Sequence, residues 1–188
     1  MKTLVEILDE FKLNQGNTDG WFGTDKAHGH TYIDFYEENF SKYKHEKINL
    51  VEIGVRCGAS IKLWREYFSN AMIYGIDNGP IGIEMNEEWV SGDNVQYIEC
   101  DAYTQECVDK LPNKIDILID DGPHFFESHV KLLQLYLHKI NKGGILVIED
   151  VNYDPQNLIR QFPENIRSKV EVPISNGKDN RLIVVKDF

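Results

Sequence analysis

Three carboxylates and one imidazole follow directly on apolar runs that read as strands, the places where an α/β chain presents its chemistry. KIDILIDDG (114–122) carries Asp120 and Asp121, GGILVIED (143–150) ends in Glu149 and Asp150, and His124 stands three residues after Asp121 across a Gly122-Pro123 turn. Neighbouring strands lie about 5 Å apart, so if these two are adjacent, Asp121, Glu149 and Asp150 converge beyond the sheet. Three such oxygens without a cationic partner suit a hard divalent cation such as Mg²⁺, which also relieves the repulsion among crowded acids. The stiff turn can point His124 back over that ion, and histidine is the usual group for taking a proton from a hydroxyl. The ordinary alternatives are a surface or core histidine and acids that cap helices, Asp150 ahead of Asn152 among them.

A second constellation lies earlier. Glu52-Ile53-Gly54-Val55-Arg56-Cys57-Gly58-Ala59-Ser60 ends the first strand of the repeating part of the chain, and Gly54 and Gly58 allow close backbone approach to a ligand. Asp77 ends the next strand, 23 residues after Gly54, where a carboxylate can accept both hydroxyls of a ribose. NAD enzymes and S-adenosylmethionine (SAM) methyltransferases share that pairing. The full GxGxxG fingerprint is missing here, since Arg56 and Cys57 fill the middle of the turn, so nothing brings a helix N-terminus against a pyrophosphate. Asp101, just after a third strand, stands where a methyltransferase sets an acid against the adenine amino group.

The elements that must position these residues alternate. Strands are expected at 48–54, 71–77, 94–100, 114–122 and 143–150, with helices at 59–68, near 84–90, at 102–111, 128–140 and 154–166. SKVEVPIS and RLIVVKDF flank Asn176-Gly177 as a terminal hairpin. The expected fold is α/β: a Rossmann-like, seven-stranded, mostly parallel sheet with helices on both faces and a C-terminal antiparallel hairpin. Residues 1–46 form a helical extension with a glycine-rich loop, 47–188 the core, and the whole 1–188 one domain. His28 and His30 sit in that loop, where a lid and a solvated segment are both open; His129 reads as surface or as support to the site.

Length and charge narrow the function classes. The 188 residues carry 20 Lys+Arg and 31 Asp+Glu, a net charge of −11, which argues against a nucleic-acid partner held by phosphate neutralisation. No apolar run approaches the roughly 18 residues of a membrane span, and the start does not read as a signal peptide, so a cytoplasmic protein is expected. Cys57, Cys100 and Cys107 show no metal spacing and are expected as free thiols in a reducing compartment. Aromatic and apolar stripes on 4–11 and 32–43 suit either core or a contact between copies in a homo-oligomer.

The chain resembles class I SAM-dependent methyltransferases, and within them the metal-dependent sugar O-methyltransferases of the mycinamicin type. The shared stretches are Gly23-Thr24-Asp25-Lys26 with Tyr32, VEIGVRCGASIKLW (51–64), IYGID (73–77), DDGPH (120–124) and GGILVIED (143–150). The resemblance implies a SAM site formed by Thr24, Tyr32, Glu52, Gly54, Gly58, Ser60, Asp77, Asp101 and Asp120, a Mg²⁺ site at Asp121, Glu149 and Asp150, and His124 as base. It implies methyl transfer to a hydroxyl of a sugar, glycoside or other polyhydroxylated small molecule. Acceptors of another kind, an amine or a catechol, and a non-catalytic or NAD-binding relative of the same fold are the alternatives.

Overall fold

Apolar runs become strands, those at the centre of the sheet covered on both faces and the edge strand half-exposed. In the computed structural model, which describes residues 2–14, 23–27, 30–79, 85–174 and 181–188, these are β1 (Asn49–Ile53), β2 (Met72–Asp77), β3 (Val95–Glu99), β4 (Ile115–Asp120) and β5 (Ile140–Ile148). All five are parallel; β6 (Val170–Glu171) and β7 (Ile183–Lys186) add the antiparallel strands, in the order β3-β2-β1-β4-β5-β7-β6. The seven-stranded α/β sheet is thus the one expected. Its order reverses between β1 and β4, which opens a crevice beyond their carboxyl ends. Asp77 and Asp120 are the last residues of β2 and β4, and Asp121 and Glu149 extend the ladder one bond further through Asp121 N–H to Ile53 O and Glu149 N–H to Asp120 O.

The alternation of side chains along the strands splits the core in two. Leu50, Ile119 and Val147 face α1 (Leu4–Glu10), α2 (Ile33–Phe40) and α3 (Ala59–Tyr67). Val51, Leu118 and Ile148 face α4 (Gln105–Val108), α5 (Phe126–Tyr136) and α6 (Pro155–Ile159). A capping box of Thr3 and Glu6 starts α1, which buries Leu4, Ile7 and Leu8. Glu37 then ties the extension together, accepting from Leu4 N–H and from the Tyr67 hydroxyl. Tyr36 and Phe40 pack edge-on to Trp64. Most of the two apolar stripes is therefore core within one chain, while Val5 of α1 is half-exposed.

Other expectations change in detail. Residues 87–90 form a turn where a helix was expected, and α4 is a single turn. The helix expected over 154–166 breaks at Pro163, which lacks an N–H to continue it, into α6 and α7 (Glu164–Arg167). Asn176 and Gly177 lie outside the described residues. Cys100 and Cys107 are not free thiols but a disulfide. Thr104 caps α4 and turns the chain back on the end of β3, bringing the two Cα atoms to 5.9 Å. Cys57 alone is free and buried, so the cysteines no longer argue for a reducing compartment. Among the described residues no helix is long and apolar enough to cross a membrane.

Gly54 is fixed by the crossing of two chain ends. It has φ +87°, and a Cβ there would lie 1.9 Å from the carbonyl oxygen of Asp121. Relief would have to come from backbone, not from a flexible side chain. Gly54→Ala is expected to destabilise the fold by about 2–4 kcal/mol, combining left-handed strain with the clash. Urea denaturation measures this; a loss within about 0.5 kcal/mol, the range of an ordinary surface change, would show that the two turns are not in contact.

Candidate active site

Two strained turns and two strand ends frame a cavity of about 890 Å³ over the crevice. On the β1–β2–β3 side it is lined by Gly54, Ser60, Asp77 and Asp101; on the β4–β5 side by Asp121, His124 and Asp150; Thr24 and Asp25 of the extension border both. His124 and Asp150 have φ +58° and +51°. Non-glycine residues rarely sit in that region, and each costs on the order of 1–3 kcal/mol there. Two such residues, both on the cavity and both held away from regular strand geometry, mark it as the functional site.

Asp77 is held for a ligand by the turn it faces. Its Oδ2 accepts from the N–H groups of Val55 and Arg56, at 2.8 and 2.9 Å, and its Oδ1 from Gly79 at 3.1 Å. Asp101 lines the cavity and accepts from Tyr103 N–H. Asp120 lies underneath, fully buried: its Oδ1 takes the Tyr103 hydroxyl at 2.7 Å and Gly122 N–H at 3.2 Å, while its Oδ2 has no partner. Burial pushes its pKa up to about 6. The cavity end thus offers an acid pair at Asp77 and Asp101 and a glycine that admits close approach, an arrangement that fits the ribose and adenine groups of a nucleoside cofactor.

Four residues expected as cofactor contacts do not line the cavity, the buried Asp120 among them. Gly58 caps α3 against Val90 and does not line the cavity. Tyr32 is fully buried, its hydroxyl donating to Asp150 Oδ1 at 2.7 Å. Glu52 is also fully buried, because its place in the β1 alternation turns it, with Leu50, toward the extension; it accepts from the Trp64 indole N–H at 3.1 Å.

The premise that the strand-end carboxylates lack a cationic partner is overturned by Lys26. Its ammonium, with no exposed surface, lies 2.7 Å from Asp121 Oδ2, 2.6 Å from Glu149 Oε1 and 3.5 Å from Glu52 Oε1. Burial works against its charge, but the three acids outweigh it and hold its pKa well above the usual lysine value. Tyr36 donates to the same Glu149 oxygen at 2.5 Å. The expected trio is accordingly divided: Glu149 sits with Glu52 and Asp121 around Lys26, whereas Asp121, Asp150 and His124 bring their ligand atoms within 4.8 Å of one another at the cavity. Burial and the Asp121 charge raise the pKa of both Glu149 and Asp150, and burial holds Glu52 up to about 7.

Each carboxylate meets its protein donor through one oxygen: Asp121 through Oδ2, Glu149 through Oε1, Asp150 through Oδ1. At the cavity Asp121, Asp150 and His124 bring donor atoms within 4.8 Å of one another and fit a divalent cation, whereas Glu149 is buried beside Lys26 and does not line the cavity. His30 braces the set: its ring stacks on Tyr32, and its Nε2 lies 3.4 Å from Asp150 Oδ2. His124 Nε2 stands 3.8 Å from the same oxygen, and its Nδ1 is buried without a partner. His28 lies outside the described residues. Lys26 was the functional residue that sequence reasoning missed, though it stands in the Gly23-Thr24-Asp25-Lys26 stretch.

Comparison with known proteins identifies the family and the fold. The model of a family described as a methyltransferase domain matches residues 51–151. The 8-demethyl-8-alpha-L-rhamnosyl tetracenomycin-C 2'-O-methyltransferase of Streptomyces olivaceus is 29% identical over 69% of this chain and 35% of its own length. The mycinamicin VI 2''-O-methyltransferase of Micromonospora griseorubida is 29% identical over 65% of this chain and 32% of its own. The chain thus spans about a third of these relatives. In structure it is similar to the MycE methyltransferase of the mycinamycin pathway, solved in complex with Mg, SAH and mycinamycin VI, with a TM-score of 0.72 at 20% identity over 99% of this chain and 53% of that one.

Beside the site, His129 on α5 is fully buried rather than at the surface, its Nδ1 2.6 Å from the Tyr153 hydroxyl. Burial, reinforced by His124, lowers its pKa from 6.5 to about 4. The unfolded chain then binds the extra proton between these values, so stability is full above about 6.5 and is lost as pH falls toward 4, by at most about 3 kcal/mol. His129→Gln should flatten that limb in denaturation curves taken across the window. An unchanged slope would assign the acid sensitivity to other groups.

Proposed function

The chain belongs to the methyltransferase-domain family, and from that membership we propose that it is a SAM- and Mg²⁺-dependent O-methyltransferase acting on a hydroxyl of a sugar or glycoside. The observation that carries the proposal is one cavity with Asp77 and Asp101 at one end and Asp121, His124 and Asp150 at the other. A nucleoside-borne methyl donor held at one end of that cavity can face an acceptor held at the other. One relative named above is a 2'-O-methyltransferase of a rhamnosyl tetracenomycin, which supports a deoxyhexoside acceptor.

In this reading Asp77 binds the ribose hydroxyls and Asp101 the adenine amino group. Asp121, Glu149 and Asp150 would hold the cation, which when bound lowers the pKa of an acceptor hydroxyl and offsets the charge of the acids. His124 takes the proton as the methyl arrives, from a ring kept in place by its left-handed backbone and by Asp150. The walls around the site fix the acceptor oxygen against the methyl group, so that orientation is supplied before the reaction.

The test uses methyl-labelled SAM with a panel of rhamnosides and other deoxyhexosides. Transfer is expected, EDTA should abolish it and Mg²⁺ restore it, with binding of the demethylated product SAH retained throughout. His124→Ala should lower kcat by about 10²–10⁴-fold, the usual contribution of a general base, without weakening metal binding. Full activity in a chelated sample would remove the metal from the reading. Loss of metal affinity in His124→Ala would make that residue a ligand rather than the base.

A further inference from the structure

We propose that Lys26, assisted by Tyr36, is the positioning residue of the metal-binding carboxylates; the inference rests on the metal-dependent reading above. Three observations converge on it. The ammonium is wholly buried and within hydrogen-bond distance of both Asp121 and Glu149, which come from different strands. Lys26 and Tyr36 meet Glu149 at the same oxygen, Oε1, and Lys26 meets Asp121 at Oδ2. One cation therefore sets the rotation of two carboxylates at once and leaves Asp121 Oδ1 and Glu149 Oε2 off the ammonium.

The anchoring of Lys26 supports a positioning role. Its carbonyl accepts from Tyr32 N–H at 3.0 Å, and Tyr32 in turn holds Asp150 Oδ1. Thr24, two residues before it, is tied to Leu13 O at 2.7 Å and lines the cavity. All three acids are thus oriented by side chains of the extension: Asp121 and Glu149 through Lys26 and Tyr36, Asp150 through Tyr32. Outer partners of this kind orient ligands, and their loss typically costs about 10–100-fold in metal affinity.

A purely charge-balancing lysine would behave differently, and a double variant separates the two. Lys26→Met with Glu52→Gln removes one positive and one negative charge together, so the buried charge balance is kept while the grip on Asp121 and Glu149 is lost. Mn²⁺ binding, followed by the electron spin resonance of the free ion, should weaken about 10–100-fold in the double variant, with SAH affinity unchanged. Tyr36→Phe, which deletes one hydroxyl and keeps the ring packing, should weaken Mn²⁺ by about 2–10-fold, the worth of one hydrogen bond, and reads the clamp even if the double variant does not fold. Wild-type Mn²⁺ affinity in both variants would overturn the proposal. A wild-type protein that binds no Mn²⁺ would instead overturn the metal reading, and the metal-free crystal structure of the folded variant then decides. Asp121 and Glu149 rotated there would support Lys26 as the positioning residue; both unmoved would refute it.

Discussion

The site depends on one buried ammonium. Lys26 lies among Glu52, Asp121 and Glu149 with no solvent contact, and an isolated charge at that depth would not be tolerated. Its burial with the charge kept is possible only because three acids face it, the lysine coming from the extension and the acids from the ends of β1, β4 and β5. The aromatic packing of Tyr36, Phe40 and Trp64 around it excludes water and fixes that docking. Extension and sheet are in this sense one structure. Breaking a buried pair by removing one partner leaves an uncompensated charge, typically a loss of about 3–5 kcal/mol.

From that anchor the cavity follows. Gly54 lets the β1 turn cross the β4 turn, which places the acid at the end of β2 on one side of the crossing and the Asp121–His124 turn on the other. His124 and Asp150 then leave the regular ladder with positive φ and face the cavity. Strain of this kind persists where packing over-determines it. Here the packing is the buried ladder continued by Asp121 and Glu149, whose backbone bonds to Ile53 and Asp120 hold the two turns side by side.

Much of this was legible in the sequence. Near-continuous apolar runs located the five parallel strands, and the acids at their ends located Asp77, Asp101, Asp121, His124 and Asp150 on a common cavity. What escaped is instructive. Glu52 was expected at the cofactor, yet strict alternation from Leu50 turns it to the extension, as alternation from Ile119 and Val147 does for Asp121 and Glu149. Reading that period through the strand ends would have grouped the three acids and asked for a cation opposite them. The Cys100–Cys107 bond escaped for another reason: a seven-residue separation says nothing of the Thr104 cap that folds the chain back. The stripes on α1 and α2 were ambiguous because burial within a chain and burial between chains require the same pattern.

The proposed nucleoside-cofactor site has Asp77 at its ribose end. Calorimetric titration of SAH into the wild-type protein and into Asp77→Ala measures it directly. The account predicts binding of SAH in the wild type, with a loss of about 1.5–3 kcal/mol in a folded Asp77→Ala, as for a charge-assisted hydrogen bond removed from a pocket. Unchanged SAH affinity in the variant, or a wild-type protein that binds NAD and not SAH, would contradict it.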